Sequence, residues 1–321
     1  MKKKLGTITL LCITPTLFAF DCKQASTFTE KTICQSEELI QLDKTMSGIY
    51  TEIKNTGMHK NNLVRSQRSW LKQRDECQNQ EQAANCMKYI TEHRINDLSG
   101  KNSLNGRSDV FINITGENYN NPDENIHVFS YPLFRKPETP AMKKFNADME
   151  DRYKPHQDNI MKYVEPAECD WSSADTTYQI HHYNGHYLGL ETSLSTYGCG
   201  AAHGNHGVSE THFDLDKAAY ITSAEALKPE TLETAFQSCI DQLSTKPDAS
   251  TSRQEYIDSY GDGVRSTLSS IDAWTLYPDN AVVSFSPYIA GSYAEGFLTC
   301  EFKKEDMEKF LAPYMLNLIR Q

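Results

Sequence analysis

Positive charge is scarce in this chain. Its 321 residues hold 32 lysines and arginines against 43 aspartates and glutamates, a net charge of −11 with histidine neutral. A nucleic-acid partner is therefore not expected, because phosphates must be neutralised by a basic surface. Long apolar runs are missing too: the C-terminal Phe310 to Ile319 falls well short of the roughly 20 residues a membrane span needs. Catalytic signatures are absent as well. No Gly-x-Ser-x-Gly elbow presents a serine nucleophile, and no His-Glu-x-x-His places two histidines on one helix face for zinc. A carboxylate pair about 5 to 9 Å apart could hydrolyse a glycoside, but among 43 acids such a pair means nothing without a cleft.

What is present points to export. Met1-Lys2-Lys3-Lys4, the apolar run Leu5 to Phe18 and then Ala19 have the layout of a signal peptide over residues 1–19. The run of about 14 residues is too short for an anchor. Neither Leu11 before Cys12 nor Asp21 before Cys22 supplies the small residue of a lipoprotein site. Cleavage would leave eight cysteines and 29 basic against 43 acidic residues, a net charge of −14. An even cysteine count in an exported chain favours disulfides over metal thiolates. We expect a periplasmic or secreted protein, with no transmembrane segment after cleavage, whose acidity would steer a cationic partner toward it.

At 38% hydrophobic and 23% charged residues the chain is globular in composition, and its length suggests two domains. Residues 20–98 are helical in pattern. Thr27 and Glu30 have capping-box spacing; Leu39, Leu42, Met46, Ile49, Tyr50 and Ile53 then fall on one face, and Asn55-Thr56-Gly57 ends that helix. Further stripes over about 61–77 and 81–98 complete a small bundle, which at this size needs staples. Spacing allows three pairings of Cys22, Cys34, Cys77 and Cys86; of these we expect Cys22 with Cys34 and Cys77 with Cys86. Cys22, Glu30, Cys34, Leu39 and Asp43, then Gln67, Trp70, Arg74, Asp75, Cys77, Cys86, Tyr89 and Arg94, form an arrangement that resembles the LprI-type lysozyme-inhibitor domain. The resemblance implies an exported helical domain, linked in some members to lysozyme inhibition. For Trp70, Arg74 and Asp75 themselves, core packing with an internal ion pair is the plainer expectation.

Residues 99–108 are polar and turn-rich and read as a linker. From 109 to 321 the pattern is α+β with a largely antiparallel sheet. Val110, Ile112 and Ile114 alternate as in a strand; a helix is expected over about 139–164, broken or kinked at Pro155. Asn184-Gly185 between two strand-like runs predicts a type I′ hairpin. Gly198 to Gly207, with four glycines, a cysteine and two histidines, predicts a shaped loop, followed by a strand from Val208 to Leu215 and a single C-terminal helix over about 305–318. We expect Cys169 to pair with Cys199 and Cys239 with Cys300. Gly200-Ala201-Ala202-His203-Gly204 before Phe213-Asp214-Leu215, then Trp274, Pro278-Asp279-Asn280, Phe285, Pro287-Tyr288, Ile289-Ala290, Tyr293-Ala294 and Gly296, resemble the extracytoplasmic domain of RsiV-type anti-sigma factors. That domain also occurs beside exported peptidoglycan deacetylases, and in RsiV it is a lysozyme receptor, so the resemblance implies protein binding over about 110–315. The chain departs from that pattern in its four extra cysteines and in lacking a transmembrane helix and a sigma-binding segment.

Histidine raises a metal question: His203 and His206 lie near His181, His182, His186 and His212 in sequence. Zinc needs three or four converging ligands, and His203-x-x-His206 in a loop guarantees no shared direction. No metal, cofactor or catalytic residue is assigned on this basis. Tyr197, His203, Asn205 and His206 in one loop and Tyr288, Tyr293 and Glu295 in another combine aromatic area with adaptable hydrogen bonds, a mixture suited to protein recognition. His203 is expected to brace the loop, with Asn205 and His206 at its tip. The leading functional expectation is a lysozyme-binding or inhibitor-like envelope protein. A metal-dependent or cell-wall hydrolase and a non-catalytic envelope-maintenance module are the alternatives.

Overall fold

The computed structural model describes residues 21–119, 125–153, 172–198, 200–244 and 252–321. The signal-peptide segment, residues 154–164 of the expected helix and the Cys169–Cys199 pairing therefore lie outside the described residues. Four helices open the chain: α1 (Phe28–Cys34), α2 (Glu37–Asn55), α3 (Lys60–Glu76) and α4 (Ala83–Ser99). The Thr27 hydroxyl accepts from the Glu30 backbone N–H and the Glu30 carboxylate accepts in return from Thr27, so the expected capping box starts α1. Disulfides Cys22–Cys34 and Cys77–Cys86 are formed as expected. The second walls a small cluster of Ile33, Leu39 and Met87.

A six-stranded sheet follows: β1 (Phe111–Tyr119), β2 (Asn125–Phe134), β3 (Ser172–Tyr183), β4 (Tyr187–Gly198), β5 (Asn205–Asp214) and β6 (Ala219–Tyr220), in chain order across the sheet. All pairs are antiparallel except β2 with β3, and the connection between those two carries α5 (Pro140–Tyr153). After a single turn α6 (Ser223–Ala226) come α7 (Leu232–Ser244) and α8 (Arg253–Leu268). The chain then forms a three-stranded antiparallel sheet, β7 (Trp274–Leu276), β8 (Asn280–Phe285) and β9 (Leu298–Lys303), and ends in α9 (Lys304–Phe310) and α10 (Pro313–Arg320). This is the α+β architecture with a disulfide-stapled helical start that the pattern predicts. The C-terminal helix is two rather than one: Leu311 forms a bridge to Leu227 and Pro313 opens a new helix, because proline fits a first helical turn but not an interior.

The six-stranded sheet has a core on each face. One face, through Ile114, Phe129, Leu188, Leu190 and Phe213, packs with α5 and with Met46, Ile53, Leu63, Trp70 and Leu98 of the N-terminal helices. The other meets a second core of α6 to α10 and the small sheet, centred on Trp274, Phe285 and Phe302 and bridged by Cys239–Cys300. The N-terminal helices therefore share a core with the sheet. The stretch expected as a linker is a packed run of turns: Leu104 is buried in the shared cluster and the Ile180 N–H donates to the Ser103 carbonyl at 2.7 Å.

Of the residues carrying the LprI-like pattern, Leu39, Asp43, Gln67, Trp70, Cys77 and Arg94 are buried. The Trp70 indole N–H donates to the Ile90 carbonyl at 3.2 Å, and Arg74 pairs at 3.0 Å with Asp43 rather than with its neighbour Asp75. The Arg94 guanidinium, buried between α3 and α4, donates to the Gln67 Oε1 and to the Ser66 hydroxyl at 2.9 Å. Arg94→Ala would leave both acceptors unpaired. It is expected to cost about 3 kcal/mol, read as a lower urea midpoint at unchanged m-value.

Candidate functional site

The two loops singled out in sequence meet in space. The His203 ring stacks on Tyr293 with centroids 3.6 Å apart, and Tyr288 lies across the same histidine. Hydrogen bonds fix one arrangement: His203 Nδ1–H to the Gly204 carbonyl at 3.0 Å, the Tyr288 hydroxyl to His203 Nε2 at 3.1 Å, and the Tyr293 hydroxyl to the Gly204 carbonyl at 2.7 Å. His203 is thus the expected brace, joining loops whose residues stand 85 apart in sequence. The Tyr197 hydroxyl donates to the Ala201 carbonyl at 3.0 Å, which ties the glycine-rich loop to its own strand. Glu295 closes a capping box with Ser292 and so shapes the partner loop.

What remains exposed is narrower than the expected set. Tyr288 is 60% exposed and sits at φ +73°, a left-handed conformation uncommon for a bulky residue. Next to it Ile289 is exposed, as is Phe297 beyond the capping box. Asn205 and His206 are exposed but are not a loop tip: they begin β5, opposite Thr196 and Ser195. The strand expected from Val208 starts three residues earlier because the ladder with β4 continues to the loop. The Asn184-Gly185 hairpin is present, but only Gly185 has positive φ, so the turn is not type I′; the Asn184 side chain accepts instead from the N–H groups of His186 and Tyr187.

A second cluster was not legible in sequence. His181, Glu191 and Glu210 come from β3, β4 and β5, and one ligand-capable atom of each lies within 4.8 Å of the others. Glu191 and Glu210 are directly opposite in the antiparallel ladder. His181 is the extra residue of a bulge between Ile180 and His182, so both histidines meet the second core, His182 at the Ile319 carbonyl and His181 at the Tyr277 hydroxyl. Burial pushes the Glu210 carboxyl up to about 8, and burial lowers His181. Spacing in the chain gives no sign of this trio; only strand register does.

Residues 22–98 match the family model described as lysozyme inhibitor LprI. The match makes the N-terminal helical unit LprI-like and reaches no further along the chain. No curated protein matches the chain. Among solved structures it is similar to a member of the DUF3298 family from Bacteroides fragilis NCTC 9343, at 14% identity and TM-score 0.44 over 66% of this chain and 96% of that one. It is also similar to a DUF3298 family protein from Pseudomonas aeruginosa PAO1, at 11% identity and TM-score 0.46 over 64% and 94%. Neither likeness is close enough to carry weight. Among the described residues no helix is long and apolar enough to cross a membrane.

Proposed function

We propose that this chain is an exported, non-catalytic binding protein whose partner is a cationic muramidase of the lysozyme class. The LprI match over residues 22–98 carries the reading. Two further features support it: the net charge of −11, which favours encounter with a basic partner, and the sequence resemblance of the second half to a lysozyme-receptor domain. In this reading the helical unit and the α+β portion both contribute surface to the partner.

Because Gln67, Trp70 and Arg94 of the LprI-like pattern are buried, recognition falls to side chains that reach solvent. Tyr89 of that pattern is 63% exposed and packs at a tilt against His93; in the second half Tyr288, with Asn205 and His206, offers the corresponding anchor. Aromatic anchors of this kind dominate interface energies. A panel of lysozymes incubated with micromolar protein at low salt should lose muramidase activity with at least one member. Tyr89→Ala and Tyr288→Ala leave the core untouched, and at least one of them should weaken binding by about 2 kcal/mol, a shift of roughly thirtyfold in the dissociation constant. If both variants bind like the parent chain, these surfaces are not the interface.

A further inference from the structure

We propose that His181, Glu191 and Glu210 form a binding site for one divalent first-row transition-metal ion. Three observations converge on it. His181 Nε2 lies 3.5 Å from Glu210 Oε1 and 3.9 Å from Glu191 Oε2, close to the edge of about 3.3 Å between ligand atoms around a tetrahedral zinc with bonds near 2.0–2.1 Å. Contraction by a few tenths of an ångström around an ion is within side-chain reach. One imidazole with two carboxylates is a donor set that suits zinc and its first-row neighbours.

The second observation is unmet bonding capacity. Glu210 is buried, with a side chain 4% exposed, and its Oε2 has no hydrogen-bond partner; the buried His181 Nε2 has none either. Unpaired polar atoms in an interior cost free energy unless something binds them. The two carboxylates also stand directly opposite each other on neighbouring strands, where like charges repel. A divalent cation held at His181 Nε2 between the two carboxylates meets that nitrogen's missing contact and offsets the repulsion together.

The third is an outer shell of the kind that orients metal ligands. The Tyr277 hydroxyl lies 3.2 Å from His181 Nδ1, which leaves Nε2 facing the carboxylates. Thr275 donates to Glu210 Oε1, and Ser193 donates to Glu191 Oε1 at 2.9 Å. Glu191, at 22% side-chain exposure, opens the site to solvent and gives an entry path as well as a place for water as a fourth ligand. The site lies where β7 of the small sheet meets the large one, so an ion there would also cross-link the two layers.

The test uses the full exported chain, stripped with a chelator and titrated with zinc chloride against a chromophoric competitor. One zinc per chain with micromolar or tighter affinity is expected, with a higher unfolding midpoint in excess zinc. His181→Ala and Glu191→Gln should each weaken zinc by at least about tenfold, and the isosteric Tyr277→Phe by about tenfold through its effect on His181. The double variant His203→Ala/His206→Ala should bind as the parent does, since those histidines lie outside the trio. Near-UV circular dichroism confirms that each variant is folded. A folded parent chain that takes up no zinc, or binding that survives both His181→Ala and Glu191→Gln, overturns the proposal and leaves Glu210 a buried carboxylic acid.

Discussion

Trp274→Ala is expected to be the most damaging single substitution, at about 3–5 kcal/mol. The indole is fully buried at the start of β7, stacks on Phe302 with centroids 5.2 Å apart, and donates its N–H to the Leu268 carbonyl at 3.0 Å. Truncation empties a space at the junction of α8 and the small sheet and strands that carbonyl. The neighbours cannot close in, because Phe285, Phe302 and Phe310 are themselves fully buried and packed against other elements. A loss of this size should lower the thermal midpoint by on the order of 10 °C, and Trp274→Phe should recover part of it. A drop of only a degree or two would mean that the second core repacks freely.

Removing the Cys239–Cys300 disulfide is the other large effect. It ties α7 to β9 across 61 residues, and loop-closure entropy assigns such a link about 4 kcal/mol. Both cysteines are completely buried, so Cys239→Ala/Cys300→Ala adds a small packing loss. The Cys22–Cys34 link closes 12 residues with Cys22 exposed, and about 3 kcal/mol is the most the same reasoning gives. Urea unfolding of the two double-alanine variants should therefore show the larger midpoint shift for the long loop. Equal shifts would indicate that the denatured chain already holds α7 near β9.

Local signals in the sequence carried most of the fold. The capping box at Thr27 and the apolar stripe from Leu39 to Ile53 are short-range features, and each appears where spacing places it. Three of the expected disulfides are formed. Failures came where long-range packing decides. The 99–108 stretch is polar enough for a linker, yet one leucine, Leu104, is enough to pin it into the shared core. Asn184-Gly185 has the composition of a type I′ turn, but a β-bulge at His181 and the Asn184 contact with the Leu318 carbonyl select another geometry.

The candidate sites divide the same way. That His203, Tyr288 and Tyr293 are chemically suited to one another could be read from residue types; that they touch required the fold. Aromatic residues in loops advertise themselves, whereas Glu191 and Glu210 are two acids among 43 until the ladder sets them face to face. Asp43 and Arg74 show the converse: a pair inside a recognised pattern whose job is to hold α2 against α3, with burial raising the Asp43 carboxyl despite its partner.

Binding to a lysozyme is the central claim, and calorimetric titration of the full chain with a cationic lysozyme at low and at physiological salt tests it most directly. The expected result is saturable one-to-one binding at micromolar affinity or tighter at low salt, weakening as salt rises because the attraction between an acidic chain and a basic enzyme is screened. No heat of binding to any lysozyme of the panel at low salt, from a chain whose disulfides and fold are intact, would contradict it.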